Sequence, residues 1–247
     1  MKALTGTALA ALALTLAACG SDDAASNNQT ALAQNVPLKT IPAPNGGDWT
    51  QIVSETPQGG FRMGNPDAPV KLLEFGSLTC PHCAEFAEQG TPVIVSKYVA
   101  SGQVSYEFRN VIRDPVDLAA ALLARCNGPA AFFPLSDQLF ATQGDWFAKA
   151  AALTPEQQQQ IGAMPSPQAG FAKAAGLDQF ARLRGIPAAK AQACLTDQAQ
   201  VQRFIQQNEA DAKQYDVQGT PTFVINGEKV EAGAWAALEP QLRAAIK

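Results

Sequence analysis

Two cysteines separated by two residues, Cys80-Pro81-His82-Cys83, are the side chains in this 247-residue sequence best placed to do chemistry. Such a pair serves either as half of a metal site or as a dithiol that cycles with a disulfide. Zinc takes about four ligands, usually cysteine or histidine at paired spacings. This chain has no second pair of that spacing, and its one histidine, His82, lies inside the motif. A metal would have to recruit the distant Cys126 and Cys194. The expectation is therefore redox chemistry, with no metal and with no cofactor beyond the Cys80–Cys83 disulfide itself.

The roles of the two sulfurs follow from where they fall. Ala84 to Tyr98 has helical periodicity, with Phe86, Val93, Ile94 and Val95 on it, so Cys80 sits where a helix begins. Unpaired backbone N–H groups and the positive end of the helix dipole stabilise a thiolate there, which makes Cys80 the nucleophile. Pro81 suits the first turn because its missing N–H costs nothing in that position. His82 adds a group able to carry or share positive charge beside the sulfur. Cys83, one turn further, closes a small disulfide ring with Cys80. Stabilising the thiolate stabilises the reduced form, so the disulfide becomes a better oxidant. Upstream, Glu74 interrupts the apolar run Val70–Phe75. Two readings stand: a carboxylate under the active site, its pKa raised, passing a proton to or from Cys83, or one that faces outward or pairs with Arg109.

The elements that must position these groups form an α/β pattern. Short runs at Gln51–Glu55 and Phe61–Met63 flank the turn signal Pro57–Gly60, which predicts a hairpin. Val70–Phe75 reads as a buried strand, and Val104–Phe108 alternates as a strand does, giving a β-α-β unit with the cysteine pair at the helix start. From Asp114 to about Tyr215 the chain is rich in Ala, Gln and Leu, with helix-length segments punctuated by Pro and Gly. This predicts an all-helical block, on which the Gln157–Gln160 run is a solvated face. Strands return at Thr222–Ile225 and Lys229–Glu231 around an Asn226-Gly227 turn, and a last helix runs from Ala234 to about Ile246.

A composition of 47% hydrophobic and 16% charged residues suffices for a real core, while a net charge of −4 gives no reason to expect nucleic acid. No segment reaches the roughly 18 consecutive apolar residues of a spanning helix. Lys2 followed by the Ala/Leu-rich stretch Ala8–Ala18 reads as an export signal. It ends Leu16-Ala17-Ala18-Cys19, which resembles a bacterial lipobox and implies cleavage before Cys19 and lipidation of its thiol. The expected organisation is a lipoprotein signal at 1–18 and a flexible tether at 19–47. The hairpin and first half with the cysteine pair occupy 48–113, the helical insertion 114–215, and the second half 216–247. With Cys19 lipidated, four cysteines remain in an oxidising compartment. Cys126 and Cys194 then read as a structural disulfide, or else as two free buried thiols.

The segment Leu73-Glu74-Phe75-Gly76-Ser77-Leu78-Thr79-Cys80-Pro81-His82-Cys83 resembles the active-site segment of DsbA-family thiol:disulfide oxidoreductases, and Pro81-His82 is that family's oxidant-type dipeptide. Gly219-Thr220-Pro221-Thr222-Phe223 resembles its cis-proline loop. The resemblance covers about Phe61 to Lys247. It implies a thioredoxin fold with an all-helical domain inserted between a β-α-β half and a cis-Pro β-β-α half. It also implies that Thr220 and Pro221 lie against the disulfide and pair with substrate backbone. The oxidase prototype has an apolar Val before the proline, and a threonine there is also common among reductases and isomerases. The family's second buried acid, on the active-site helix, has no clear match, since Ala87 falls at its place with Glu85 and Glu88 nearby.

The leading expectation is a monomeric, lipid-anchored disulfide donor on the periplasmic side of a bacterial envelope. It would act on unfolded or newly exported proteins and be reoxidised by a membrane thiol-oxidising partner. A reductase or isomerase of the same fold, served by a reductant, is the alternative within the enzyme class. A peptide-binding lipoprotein chaperone with merely structural thiols is the alternative outside it.

Overall fold

The computed structural model describes residues 37–246. The expected signal at 1–18, the lipidation site Cys19 and the tether up to residue 36 lie outside the described residues.

Six strands form one mixed sheet: β1 (Val53–Glu55), β2 (Phe61–Met63), β3 (Val70–Gly76), β4 (Val104–Asn110), β5 (Thr222–Ile225) and β6 (Glu228–Val230). Their order is β1-β2-β4-β3-β5-β6. Only β3 and β4 run parallel, and a parallel pair needs a crossover, which the segment carrying the two cysteines supplies. The antiparallel pairing of β3 with β5, Leu72 opposite Ile225 and Phe75 opposite Thr222, joins the segments before and after the helical block. The chain thus has the α/β thioredoxin architecture with helices inserted between its halves.

The crossover departs from one long helix. Helix α1 (Pro81–Gln89) ends at Gly90, and the chain continues as a short helix α2 (Thr91–Val93) and a π-helical turn, Ile94–Val99. Pro92 has no N–H to give the Glu88 carbonyl, so the α-helical ladder stops there. Within the helical block come α3 (Pro115–Arg125), α4 (Pro129–Ala141), α5 (Gln143–Ala151), α6 (Pro155–Gly162), α7 (Pro167–Ala174), α8 (Leu177–Leu183), α9 (Ala188–Thr196) and α10 (Gln198–Tyr215), and α11 (Trp235–Ala245) follows β6. Four helices of the block open on a proline, where the missing donor would have been unpaired anyway. The Gln157–Gln160 run lies on α6, which buries no residue.

Aromatic side chains bind the block to the sheet. Phe132 on α4 stacks on Phe61 of β2 with ring centroids 4.0 Å apart, and Phe133 packs on Tyr106 of β4 at 5.5 Å. On α1, Phe86 meets Phe223 of β5 at 4.5 Å. These residues belong to one core that also contains Cys80 and Cys83. A smaller cluster, Leu73, Phe75 and Val224, covers the opposite face of the sheet. Each buried aromatic contributes roughly 1.5–3 kcal/mol through the surface it removes from water.

The expected tether at 19–47 joins the fold earlier than its composition suggested. Ile41 N–H donates to the Ser101 carbonyl at 2.8 Å, and Gln103 Nε2 donates to the Lys39 carbonyl at 2.7 Å. Leu38 packs against the core. Averaging over a polar stretch hid two aliphatic residues, Leu38 and Ile41, placed to dock.

Cys126, at the end of α3, is bonded to Cys194 of α9 across 68 residues, with Cα atoms 5.8 Å apart. Replacing both cysteines with alanine is expected to lower stability by about 2–4 kcal/mol, the range for releasing a long closed loop. Urea unfolding of the parent and the double variant checks this, and an unchanged midpoint would deny the bond a structural role.

Candidate active site

Strand β3 ends at Gly76, where a Cβ would lie 2.5 Å from the Phe108 ring, so only glycine lets the chain leave the sheet here. Three residues, Ser77, Leu78 and Thr79, then carry it to Cys80, which caps α1 in an extended conformation with Pro81 as the first helical residue. Gln143 at the start of α5 steadies this entry: its Nε2 donates to the Leu78 carbonyl at 2.8 Å and to the Cys80 carbonyl at 3.0 Å.

The two sulfurs differ sharply in surroundings. Both cysteines are free thiols; Cys80 is 4% exposed and Cys83 is sealed at 0%. The Cys80 thiol lies 3.3 Å from the Thr220 carbonyl, its acceptor in the protonated form. Its pKa is lowered to about 5, chiefly by the hydrogen bond from the Cys83 thiol, with help from the Thr220 side chain and from the N–H groups of Cys83 and His82, against the opposing effect of burial. Cys83 moves the other way, far above the ordinary thiol range, because it gives that hydrogen bond, is buried and faces Glu74. Its Sγ accepts from the Ser77 N–H at 3.5 Å. One sulfur is thus prepared as a thiolate and the other as a thiol.

The loop opposite holds Thr220 and Pro221 against Cys80, and the Thr220–Pro221 peptide is cis. His82 is exposed, its Nδ1 3.9 Å from Glu85; it reaches Cys80 through its backbone N–H rather than its ring. Among the described residues, no group of three or more His, Cys, Asp or Glu is placed to hold a metal ion.

Glu74 is 1% exposed and lies on the face of β3 that it shares with Leu72, across from Phe108 on β4. Tyr106, on the same face of β4, donates its hydroxyl to Glu74 Oε2 at 2.5 Å. Burial raises the Glu74 pKa to about 8 despite that hydrogen bond, and the charge at Cys80 adds to the rise. Arg109 does not reach it. Arg109 stands opposite Phe75, on the other face, and pairs with Glu107 and Asp211 at 2.7 Å each. Alternation along adjacent strands therefore separates the acid from Arg109.

Four residues in this environment were not singled out from the sequence: Ser77, Tyr106, Asp117 and Gln143. Asp117 is 0% exposed and accepts from the Ser77 hydroxyl and the Leu78 N–H. An acid three residues after the capping Asp114 reads locally as a favourable helix-start charge, which conceals its distant partners. Asp137 of α4 raises the pKa of Glu74 and Tyr106, and it lines one cavity with Ala87 of α1.

A family model described as Thioredoxin matches residues 56–244. A crystal structure of a protein-disulfide isomerase from Novosphingobium aromaticivorans is 30% identical, with a TM-score of 0.73, over 79% of this chain and 100% of that one. The chain belongs to the thioredoxin family. The alpha-DsbA1 structure from Wolbachia pipientis shares the fold at 20% identity and a TM-score of 0.61, over 83% of this chain and 93% of that chain. A Rickettsia bellii protein named as a protein-disulfide oxidoreductase is 26% identical over 68% of this chain. The chain spans 58–60% of the length of the Rickettsia bellii and Rickettsia prowazekii relatives it matches.

Two pH effects follow. In the reduced protein, thiolate absorbance near 240 nm is expected to titrate with a midpoint near 5; a midpoint above 7 would contradict the hydrogen bonds described at Cys80. Glu74 has a folded pKa of about 8 against an ordinary 4.5. Between those values the folded state keeps a proton that the unfolded chain has released, so this group lowers stability as pH rises through the window. Glu74→Gln is therefore expected to be more stable than the parent at pH 8.5, by roughly 1–4 kcal/mol, and to lose that advantage by pH 4. Urea unfolding at both pH values checks it.

Proposed function

We propose that this protein is a disulfide donor for exported polypeptides, acting through Cys80 and Cys83. The observation that carries the reading is the pairing of a Cys80 pKa lowered to about 5 with a buried, strongly protonated Cys83 on one helical turn. A thiolate so well held makes the reduced state stable and the disulfide strongly oxidising.

In the forward reaction a substrate thiolate attacks Cys80 Sγ of the Cys80–Cys83 disulfide. A substrate–Cys80 bond forms and Cys83 leaves, taking a proton for which buried Glu74 is the nearby store. A second substrate thiolate attacks the substrate sulfur of this mixed disulfide. The substrate disulfide forms, and Cys80 departs as the thiolate that its hydrogen bonds stabilise. Two electrons pass from substrate to the dithiol, and a membrane thiol-oxidising partner removes them. Thr220 and Pro221, against Cys80, supply the backbone on which an extended substrate segment pairs.

The opposite direction is the second reading. The structural relative from Novosphingobium aromaticivorans carries the name of an isomerase, and Thr220 in place of an apolar residue is compatible with a reductase or isomerase. Location completes the proposal: cleavage before Cys19 and a lipid on its thiol would hold the domain at the periplasmic side of a bacterial envelope, as a monomer.

Equilibration of the Cys80–Cys83 pair with glutathione, followed by mass spectrometry, separates the two directions. A potential more oxidising than about −150 mV supports the donor reading, and one at or below roughly −200 mV replaces it with the reductase or isomerase. For the location, Cys19→Ser expressed with its leader is expected to move the protein from the detergent phase to the aqueous phase. Retention of Cys19→Ser in the detergent phase would refute lipid anchoring at that residue.

A further inference from the structure

We propose that Asp117 is a positioning residue for Cys83, acting through Ser77: it fixes the loop whose amide meets the buried sulfur. The inference rests on the thiol–disulfide exchange proposed above and adds a role for the helical block in one step of it.

The loop from β3 to α1 is three residues long, and each of its amides is committed. Ser77 N–H points to Cys83 Sγ at 3.5 Å, Leu78 N–H donates to Asp117 Oδ1 at 3.0 Å, and Thr79 N–H donates to Ser77 Oγ at 3.2 Å. The Ser77 hydroxyl donates in turn to Asp117 Oδ2 at 2.5 Å, and that oxygen also accepts the Arg113 N–H at 3.1 Å. Thr79 Oγ1 donates to Asp114 Oδ2 at 2.8 Å. The start of α3 therefore grips the loop with two carboxylates.

Helix α3 does not need Asp117 for its own capping. Asp114 already accepts from the N–H groups of Val116 and Asp117. Both Asp117 and Ser77 are 0% exposed. Burial raises the Asp117 pKa to about 7, although the Ser77 hydroxyl and the N–H groups of Leu78 and Arg113 all donate to its oxygens. What this arrangement holds still is the Ser77 amide. A backbone N–H aimed at a sulfur favours the thiolate over the thiol, and Cys83 is the sulfur whose ionisation is otherwise opposed by burial and by Glu74.

The step affected is the first step of that exchange run in reverse, the attack of Cys83 on the mixed disulfide at Cys80. In that step the Cys83 thiolate forms a bond to Cys80 Sγ, the Cys80–adduct bond breaks, and the adduct leaves as a thiolate. The first attack, by Cys80, does not draw on the Ser77 amide. A thiol whose pKa lies far above ambient pH loses about threefold in rate for each further unit of increase, because the gain in nucleophilicity recovers only half of the lost thiolate fraction.

The test uses the full chain with Cys19→Ser, reduced at the Cys80–Cys83 pair, and 5,5′-dithiobis(2-nitrobenzoate) as the probe. Cys80 attacks the probe disulfide and releases one aromatic thiolate at a rate proportional to probe concentration. Cys83 then displaces the second thiolate at a concentration-independent rate, so the dithiol gives two electrons to the probe and its protons to solvent. Asp117→Asn is expected to leave the first phase within about twofold and to slow the second by about three- to tenfold. Ser77→Ala, which severs the same link without touching the carboxylate, is expected to show the same split, and it decides the matter if Asp117→Asn does not fold. Equal slowing of both phases, or no change in the second, overturns the inference. A parent protein that never releases the second thiolate overturns instead the exchange chemistry on which it rests.

Discussion

A negative charge on a nearly buried sulfur is held here by hydrogen bonds, and much of the architecture serves to aim them. The Cys83 thiol, Thr220 and two N–H groups of the first helical turn stabilise the Cys80 thiolate, while burial works against it. Such bonds weaken steeply with misalignment. The helix must therefore begin at one residue and no other, with the loop ahead of it fixed and the cis-proline loop brought close. Gly76 permits the exit from the sheet, Gln143 holds two carbonyls of the entry, and the β3–β5 pairing delivers Thr220 from the far end of the chain.

Beneath the sulfurs, strand alternation sorts the charges. Glu74 and Tyr106 share the face under the active-site helix, whereas Arg109 is turned to the other face with Glu107 and Asp211. Had the cation shared the face of Glu74, the carboxylate would have been held ionised near neutral pH. The fold keeps the acid buried, hydrogen-bonded and without a cation beside it, which is what raises its pKa to about 8.

What could be read in the sequence was what local spacing encodes. The cysteine pair declared itself because motif and helix start occupy adjacent residues, and the strands around Glu74 because apolar runs bounded by turns are local patterns. Asn226-Gly227 marked its hairpin for the same reason. Asp117 and Gln143 were invisible because their partners lie 39–40 and 63–65 residues away, and neither residue type departs from what its helix start would ordinarily carry. Glu74 was legible as a candidate but not as an outcome. Choosing between the site and Arg109 required the register of β3 on β4, which no one-dimensional pattern reveals. The docking of Leu38 and Ile41 escaped notice because two aliphatic residues in a polar stretch are too few to register.

The bond between Cys126 and Cys194 has a consequence for how the protein comes into being. It closes a loop across 68 residues of the helical block, and forming it removes two electrons from the chain. A newly made copy whose own Cys80–Cys83 pair is reduced has nowhere internal to send them. Each molecule is thus a recipient of oxidising equivalents before its helical block is closed. The supply of the mature protein is tied to the redox state of its surroundings, as a seed crop is tied to the previous harvest.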